Sequence, residues 1–122
     1  MEDTHIGLAL VDIDNFRLLN ENYGHEAGDQ ALLVIVELLR VALPAGVAFG
    51  RSGPDELLIV ATGPVVHELE PALERFRTSL VDHSLSVEST ERLPLTVSVG
   101  VCGYPAHADS ATDLLTVVAT TL

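Results

Sequence analysis

The segment Ile6-Gly7-Leu8-Ala9-Leu10-Val11 is apolar throughout and stops abruptly on Asp12-Ile13-Asp14. A run of this length without alternation is expected to be a strand covered on both faces, because a half-exposed strand would place polar residues at every second position. Such a strand belongs in the middle of a sheet, so the remaining elements must supply neighbours on either side and helices above it. A carboxylate where it emerges then lies at a sheet edge, at the top of the core.

The rest of the chain fits that requirement. Asp14 or Asn15 is positioned to N-cap a short helix ending near Asn22, and Tyr23-Gly24-His25 is a turn signal. From Gly28 a longer helix is expected, since Leu32, Leu33, Val36, Leu39 and Leu43 recur every three or four residues before Pro44-Ala45-Gly46 stops it. Residues 47–51 and 57–61 flank the polar stretch Ser52-Gly53-Pro54-Asp55-Glu56 and read as a β-hairpin with two acids at its tip. A helix is expected between Pro64 and about Leu80, with Pro71 in its first turn or breaking it. Leu85-Ser86-Val87 reads as a short edge strand and Leu95–Val101 as a better one, and Ser110 would cap a last helix from Ala111 to Leu122. Strand, helices, hairpin, helix, strands and helix describe an α+β domain with helices against a mainly antiparallel sheet. At 122 residues there is room for one such domain.

Charge and cysteine content narrow the function. Eighteen Asp and Glu oppose six Arg, with no Lys, for a net charge of −12 at pH 7. That surface repels a phosphate backbone, so nucleic acid is excluded as a partner, whereas divalent cations are favoured. Cys102 stands alone, which points away from disulfides and thiolate zinc sites and towards a reducing, cytoplasmic setting. No apolar run approaches the ~18 residues a membrane helix needs, and the acidic start, Met1-Glu2-Asp3, does not resemble an export signal, so no membrane contact is expected. The five histidines show no metal-ligand spacing.

If the hairpin pairs beside the first strand, Asp12, Asp55 and Glu56 converge on one sheet edge. Convergent carboxylate oxygens suit Mg²⁺ or Mn²⁺, which leave positions open for water and substrate phosphates. On spacing alone a plainer reading is the commoner one: Asp12 and Asp14 as a strand end and helix cap, Asp55 and Glu56 as a polar turn.

Taken together, Asp12-Ile13-Asp14-Asn15-Phe16-Arg17, Asn20, Gly24-His25, Gly28-Asp29, Arg51-Ser52-Gly53-Pro54-Asp55-Glu56-Leu57 and the later Leu95–Val101 with Tyr104-Pro105 resemble the GGDEF domain of diguanylate cyclases. The resemblance implies a ferredoxin-like palm and, residue by residue, a site. Asp12, the carbonyl of Ile13 and Asp55 match the family's metal ligands, which would hold Mg (or Mn) on the triphosphate of GTP. Glu56 matches the signature glutamate, a candidate to help deprotonate the ribose 3′-hydroxyl, and with Asp55 forms the catalytic pair. Asn20 and Asp29 match the residues that hydrogen-bond guanine; an aspartate there accepts from the N1–H and 2-amino group that adenine lacks on that edge. Arg17 stands where the family usually has Lys, beside phosphate. Gly53 opens the signature turn and is matched as a further substrate-binding residue. An active member condenses two GTP into cyclic di-GMP as a head-to-tail homodimer, and sensory or effector domains usually accompany it in a longer chain, so these residues are expected to be one part of a multidomain protein.

Three departures from the family pattern stand out. The signature's second glycine is Pro54, which removes an N–H and fixes φ near −65°. The terminal-helix alanine-aspartate pair is Val118-Ala119, and the sequence stops before the phosphate-contacting lysine. The inhibitory Arg-x-x-Asp upstream of the turn is Pro44-Ala45-Gly46-Val47, so that product site is missing. The sequence therefore supports three readings: a variant GTP-binding regulatory or dimerising module with weak or no cyclase activity, an active cyclase, or a structural interaction domain.

Overall fold

The computed structural model describes residues 5–87 and 91–104. β1 (Ile6–Ile13) is followed by α1 (Phe16–Tyr23), α2 (His25–Ala42), β2 (Ala48–Gly53) and β3 (Glu56–Thr62). A 3₁₀ helix (Gly63–Glu68) then leads into α3 (Leu69–Val81), β4 (Ser84–Val87), β5 (Glu91–Pro94) and β6 (Val97–Tyr104). Four strands form an antiparallel sheet in the order β2-β3-β1-β6, and β4 and β5 pair antiparallel as a separate ribbon. This is the expected α+β architecture. The last helix expected from Ala111 lies outside the described residues.

β1 is the inner strand its composition demanded, paired with β3 on one side and β6 on the other. Ala9, Val11 and Ile13 face the main core with Ile59 and Leu57 of β3, Ile35 and Leu39 of α2, and Phe76 and Leu80 of α3. Leu8 and Leu10 point to the opposite face and pack with Cys102, Leu58 and Val60. Ile35, Leu39 and Phe76 have no accessible surface; truncating such a side chain to Ala costs about 2–5 kcal/mol.

Several local expectations are corrected. α2 begins at His25, not Gly28, because Gly24 (φ 85°, ψ 167°) closes α1 by donating its N–H to Asn20 O and opens α2 by accepting from Ala27 N. That region of backbone space is essentially closed to residues with a Cβ. The buried stripe of α2 is Ala27, Ala31, Leu32, Ile35 and Leu39, whereas Leu33 is 64% exposed. Small alanines let the helix sit close on the sheet, and Leu33 is turned off that face by one residue's rotation. Neither Asp14 nor Asn15 caps α1 with its side chain; Asn15 adopts a left-handed conformation (φ 59°), which asparagine tolerates better than most residues. Pro71 is the third residue of α3, in the first turn, where its missing N–H removes no intrahelical bond. The Leu85–Val87 strand is present as β4, but its partner β5 was not foreseen: Glu91-Arg92-Leu93-Pro94 carries charges and a proline in place of β-formers. β6 starts two residues later than expected, at Val97.

Candidate functional site

The β1–β3 ladder sets Asp12 directly opposite Glu56. One residue on, Ile13 N donates to the backbone carbonyl of Asp55 at 2.9 Å, so the hairpin turn is tied to the end of β1. The two carboxylates therefore converge, as the sequence led us to expect. Asp12 shows the electrostatic consequence. Partial burial, a side-chain hydrogen bond with Asp55 and the charges of Asp55, Glu56 and Asp14 raise its pKa from 3.8 to about 6. Carboxylates forced together without a cation repel, and one of them holds its proton more tightly.

Asp14 is held apart from this pair. Its backbone N donates to Thr96 O at 3.0 Å, and its Oδ1 accepts from Ser98 Oγ at 2.7 Å. The two contacts fasten the β1–α1 connection to β6 and to the residue just before it. Ile13, whose carbonyl is the expected backbone ligand, is itself anchored by a buried side chain. Among the described residues no three His, Cys, Asp or Glu side chains are grouped as a metal site. The expected donor set of two carboxylates and a backbone carbonyl is made of hard oxygens only, the chemistry that suits an ion such as Mg²⁺, which keeps several waters and is rarely enclosed by protein alone.

The hairpin turn is built unusually. Two-residue hairpin loops favour turns with positive φ at the first central residue, which Pro54 forbids. Neither Pro54 nor Asp55 has positive φ, which excludes the type I′, II′ and II turns. The ladder compensates: Arg51 pairs with Leu57 and Gly53 with Glu56, so Ser52 is an extra, bulged residue. Two side chains, Arg51 and Ser52, brace the turn with three hydrogen bonds. Arg51 Nε donates to Gly53 O at 3.0 Å and its terminal nitrogen donates to Pro54 O, while Ser52 Oγ donates to Glu56 Oε1 at 3.0 Å. These bracing roles of Arg51 and Ser52 were not foreseen from the sequence, although a guanidinium three residues before the proline is a readable signal once Pro54 is seen to exclude the usual hairpin turns. Gly53 has no positive φ, and a Cβ there would meet only Glu56 Cβ at 3.5 Å.

Asn20 and Asp29 come from different helices, and Gly28, the residue before Asp29, lies against the Asn20 side chain. A Cβ at position 28 would overlap the Asn20 side-chain amide, so the glycine gives α1 and α2 their close approach. Asn20 Oδ1 is buried without a hydrogen-bond partner among the described residues. Leaving such an acceptor unsatisfied costs about 1–3 kcal/mol, and a ligand donor would recover it. Asp29, the next residue after Gly28, is exposed. Arg17 stands apart: its Nε donates to Glu21 Oε1 at 3.0 Å along the open face of α1, with the arginine side chain 91% exposed. An exposed pair of this kind contributes about 0.3–0.5 kcal/mol, so Arg17 is free to exchange it for another anion.

The described residues contain no helix long and apolar enough to cross a membrane.

Comparison with known proteins places this geometry. The family description "Diguanylate cyclase, GGDEF domain" matches residues 1–122. The probable diguanylate cyclase DgcC of Escherichia coli strain K12 is 31% identical over 94 residues, covering 77% of this chain and 25% of that protein. The chain thus spans about a quarter of the length of that curated relative. Among solved structures, the diguanylate cyclase SiaD in complex with its activator SiaC, from Pseudomonas aeruginosa, superposes with a TM-score of 0.84 at 28% identity over 97% of this chain and 45% of that one. The GGDEF domain of DgcB from Caulobacter crescentus, in complex with c-di-GMP, gives 0.83 at 26% identity over 96% and 69%. With the four-stranded antiparallel sheet, the acids at the end of β1 and the hairpin turn beside them, the chain belongs to the GGDEF domain family of diguanylate cyclases.

Proposed function

We propose that this domain binds GTP with Mg²⁺ or Mn²⁺ and serves as a regulatory or dimerising module in cyclic di-GMP signalling, with weak or no cyclase turnover. The observation that carries the reading is the convergence of Asp12 and Asp55 on a turn whose second residue is a proline. Asp12, the Ile13 carbonyl and Asp55 would hold the divalent ion; when bound, it neutralises triphosphate charge. The orphaned Asn20 oxygen and the Asp29 carboxylate supply acceptors for the donors on the guanine edge, which is a physical reason for GTP over ATP. Glu56, oriented by Ser52, is the group available to take a proton from the ribose 3′-hydroxyl.

Pro54 argues against full activity. It deprives the turn of one backbone N–H and adds a ring beside the expected phosphate position, and a lost charge-stabilising donor typically lowers a rate by ~10²–10³. The active-cyclase reading is favoured by one contrary observation: the braced turn keeps Asp55 and Glu56 in place despite the proline. In that case two GTP-loaded protomers would meet head to tail, each supplying half of the reaction. Placement in the cytoplasm and attachment to a sensory or effector domain in a longer chain belong to the same proposal.

Calorimetry with GTP and ATP, with and without Mg²⁺, tests the binding reading. GTP is expected to bind in a metal-dependent manner and ATP more weakly. Equal affinity for both nucleotides would remove the guanine assignment.

A further inference from the structure

The end of the sheet away from the carboxylates carries a second group of ligating side chains. His5 immediately precedes β1, and His67 lies on the 3₁₀ helix that follows β3. Their rings approach to a centroid separation of 5.5 Å with planes inclined at 54°. They line one cavity with Glu70 and Pro71 of α3, Val101 of β6 and Cys102, whose side chain is buried.

The backbone holds the two histidines in this relation. Gly63 N donates to His5 O at 2.9 Å, so the residue carrying one ring is fastened to the start of the helix carrying the other. A Cβ on Gly7 would meet Val66 and Leu69 side chains at 3.1 Å, so the start of β1 is closely packed on the 3₁₀–α3 junction. Little backbone freedom separates the rings.

We propose that His5 and His67 form a two-imidazole site for a divalent transition-metal ion of the Zn²⁺ or Cu²⁺ kind, independent of the carboxylate site. Three observations support it. First, nitrogen–metal bonds of roughly 2.0–2.1 Å to one nitrogen of each ring, at a near-tetrahedral angle, place the ring centres ~5–5.5 Å apart. The two rings stand at that separation. Second, the donors are nitrogen, which suits Zn²⁺, Cu²⁺ and Ni²⁺, whereas Mg²⁺ prefers the oxygens at the other end of β1. The six residue-to-residue steps from Ile6 to Asp12 separate the two ends by roughly 20 Å of strand. Third, a chain of net charge −12 draws cations to its surface.

Both histidines are exposed, and the described residues group no third His, Cys, Asp or Glu side chain with them. Water completes the coordination, which makes the site an open one, with Glu70 on the cavity rim as a nearby negative charge. A bound ion would clamp the entry to β1 onto the 3₁₀ helix.

The test uses untagged protein in saturating Mg²⁺, which occupies the carboxylate end. Isothermal titration with Zn²⁺ should show one site whose affinity falls at least tenfold in His5→Ala and likewise in His67→Ala. His83→Ala, at the far end of α3 and bonded to Ser79 O, should bind as the parent does. Electron paramagnetic resonance of the Cu²⁺ form should show coupling to two imidazole nitrogens in the parent and one in His67→Ala. Both rings are exposed, so circular dichroism should confirm unchanged folding of each variant. Zn²⁺ affinity within twofold of the parent in either single variant, or a Cu²⁺ spectrum with a single imidazole nitrogen in the parent, overturns the paired site.

Discussion

Asp12 faces Glu56 across the β1–β3 ladder while Asp55, the turn residue before Glu56, gives its backbone carbonyl to Ile13. One strand pairing and one turn hydrogen bond thus gather three acids at the end of an inner strand. The crowding is unfavourable in the free protein, as the raised pKa of Asp12 records. A site strained by like charge is relieved by a cation, which links the stability of the fold to its ligand.

The first prediction follows from the sign of that shift. Asp12 has a folded pKa of about 6 against an ordinary value of 3.8, so the fold takes up a proton between those values. Its contribution to stability is therefore lowest above pH 6 and recovers as pH falls towards 4. Asp12→Asn, which does not titrate, should melt above the parent at pH 7.5 in the absence of metal, and the gap should close by about pH 4. Added Mg²⁺ should raise the parent's Tm at pH 7.5 and leave that of Asp12→Asn unmoved. Thermal melts across pH in chelator and in Mg²⁺ decide it; a gap constant with pH would mean that Asp12 is not the strained group.

The second prediction concerns guanine. Asn20→Ala and Asp29→Ala should each weaken GTP binding by about tenfold or more, the expected loss for a hydrogen bond involving a charged group or a buried partner. ATP binding should change little. Gly28→Ala should weaken GTP as well, since its new methyl group must displace the Asn20 amide. Titration of both nucleotides into the three variants is the check, and unchanged GTP affinity in Asp29→Ala would detach α2 from the nucleotide site.

How far the site was readable before the structure depends on which interactions made it. The inner position of β1 and the hairpin follow from an unbroken apolar run and a turn signal, both local, whereas the convergence of Asp12 with Asp55 and Glu56 comes only with the long-range pairing of β3 beside β1. The role of Gly28 as a space between two helices, the orphaned Asn20 oxygen and the Ser98 bond to Asp14 are contacts between residues distant in sequence, which periodicity does not report. Arg17 appeared in the motif as a phosphate partner, yet in the free protein it lies along α1 with Glu21. α2 starts at His25 and not at Gly28 because Gly24 is the residue that holds the conformation needing glycine. β5 carries little strand signal of its own, since its pairing with β4 and not its β-propensity makes it a strand.

The third prediction is an absence of product inhibition at the α2–β2 connection. Pro44, Ala45, Gly46 and Val47 offer no charged side chain there, and Val47 N is already turned back towards Pro44 O. Cyclic di-GMP at concentrations that saturate family members with the Arg-x-x-Asp site should leave the amide resonances of residues 44–47 unshifted. Saturable shifts confined to those residues would refute the loss.

The fourth prediction separates the two readings of turnover, and it turns on the hairpin. Arg51 holds the carbonyls of Gly53 and Pro54, and the Ser52 bulge absorbs the mismatch between a proline turn and the strand twist, so the acids stay in place. What the turn lacks is a donor, since Pro54 has no N–H. The parent should therefore bind GTP yet form cyclic di-GMP slowly or not at all, and Pro54→Gly in the full-length protein should raise turnover by one to three orders of magnitude, about the effect of one charge-stabilising donor. GTP affinity should shift far less than turnover, because the missing donor acts on charge that develops in the transition state. Arg51→Ala supplies the converse: with the brace removed, metal-dependent GTP binding should itself weaken. Assays of cyclic di-GMP formation alongside GTP titrations resolve the two effects. A parent that turns over as fast as Pro54→Gly would establish that the braced proline turn is fully competent, and the active-cyclase reading would replace the regulatory one.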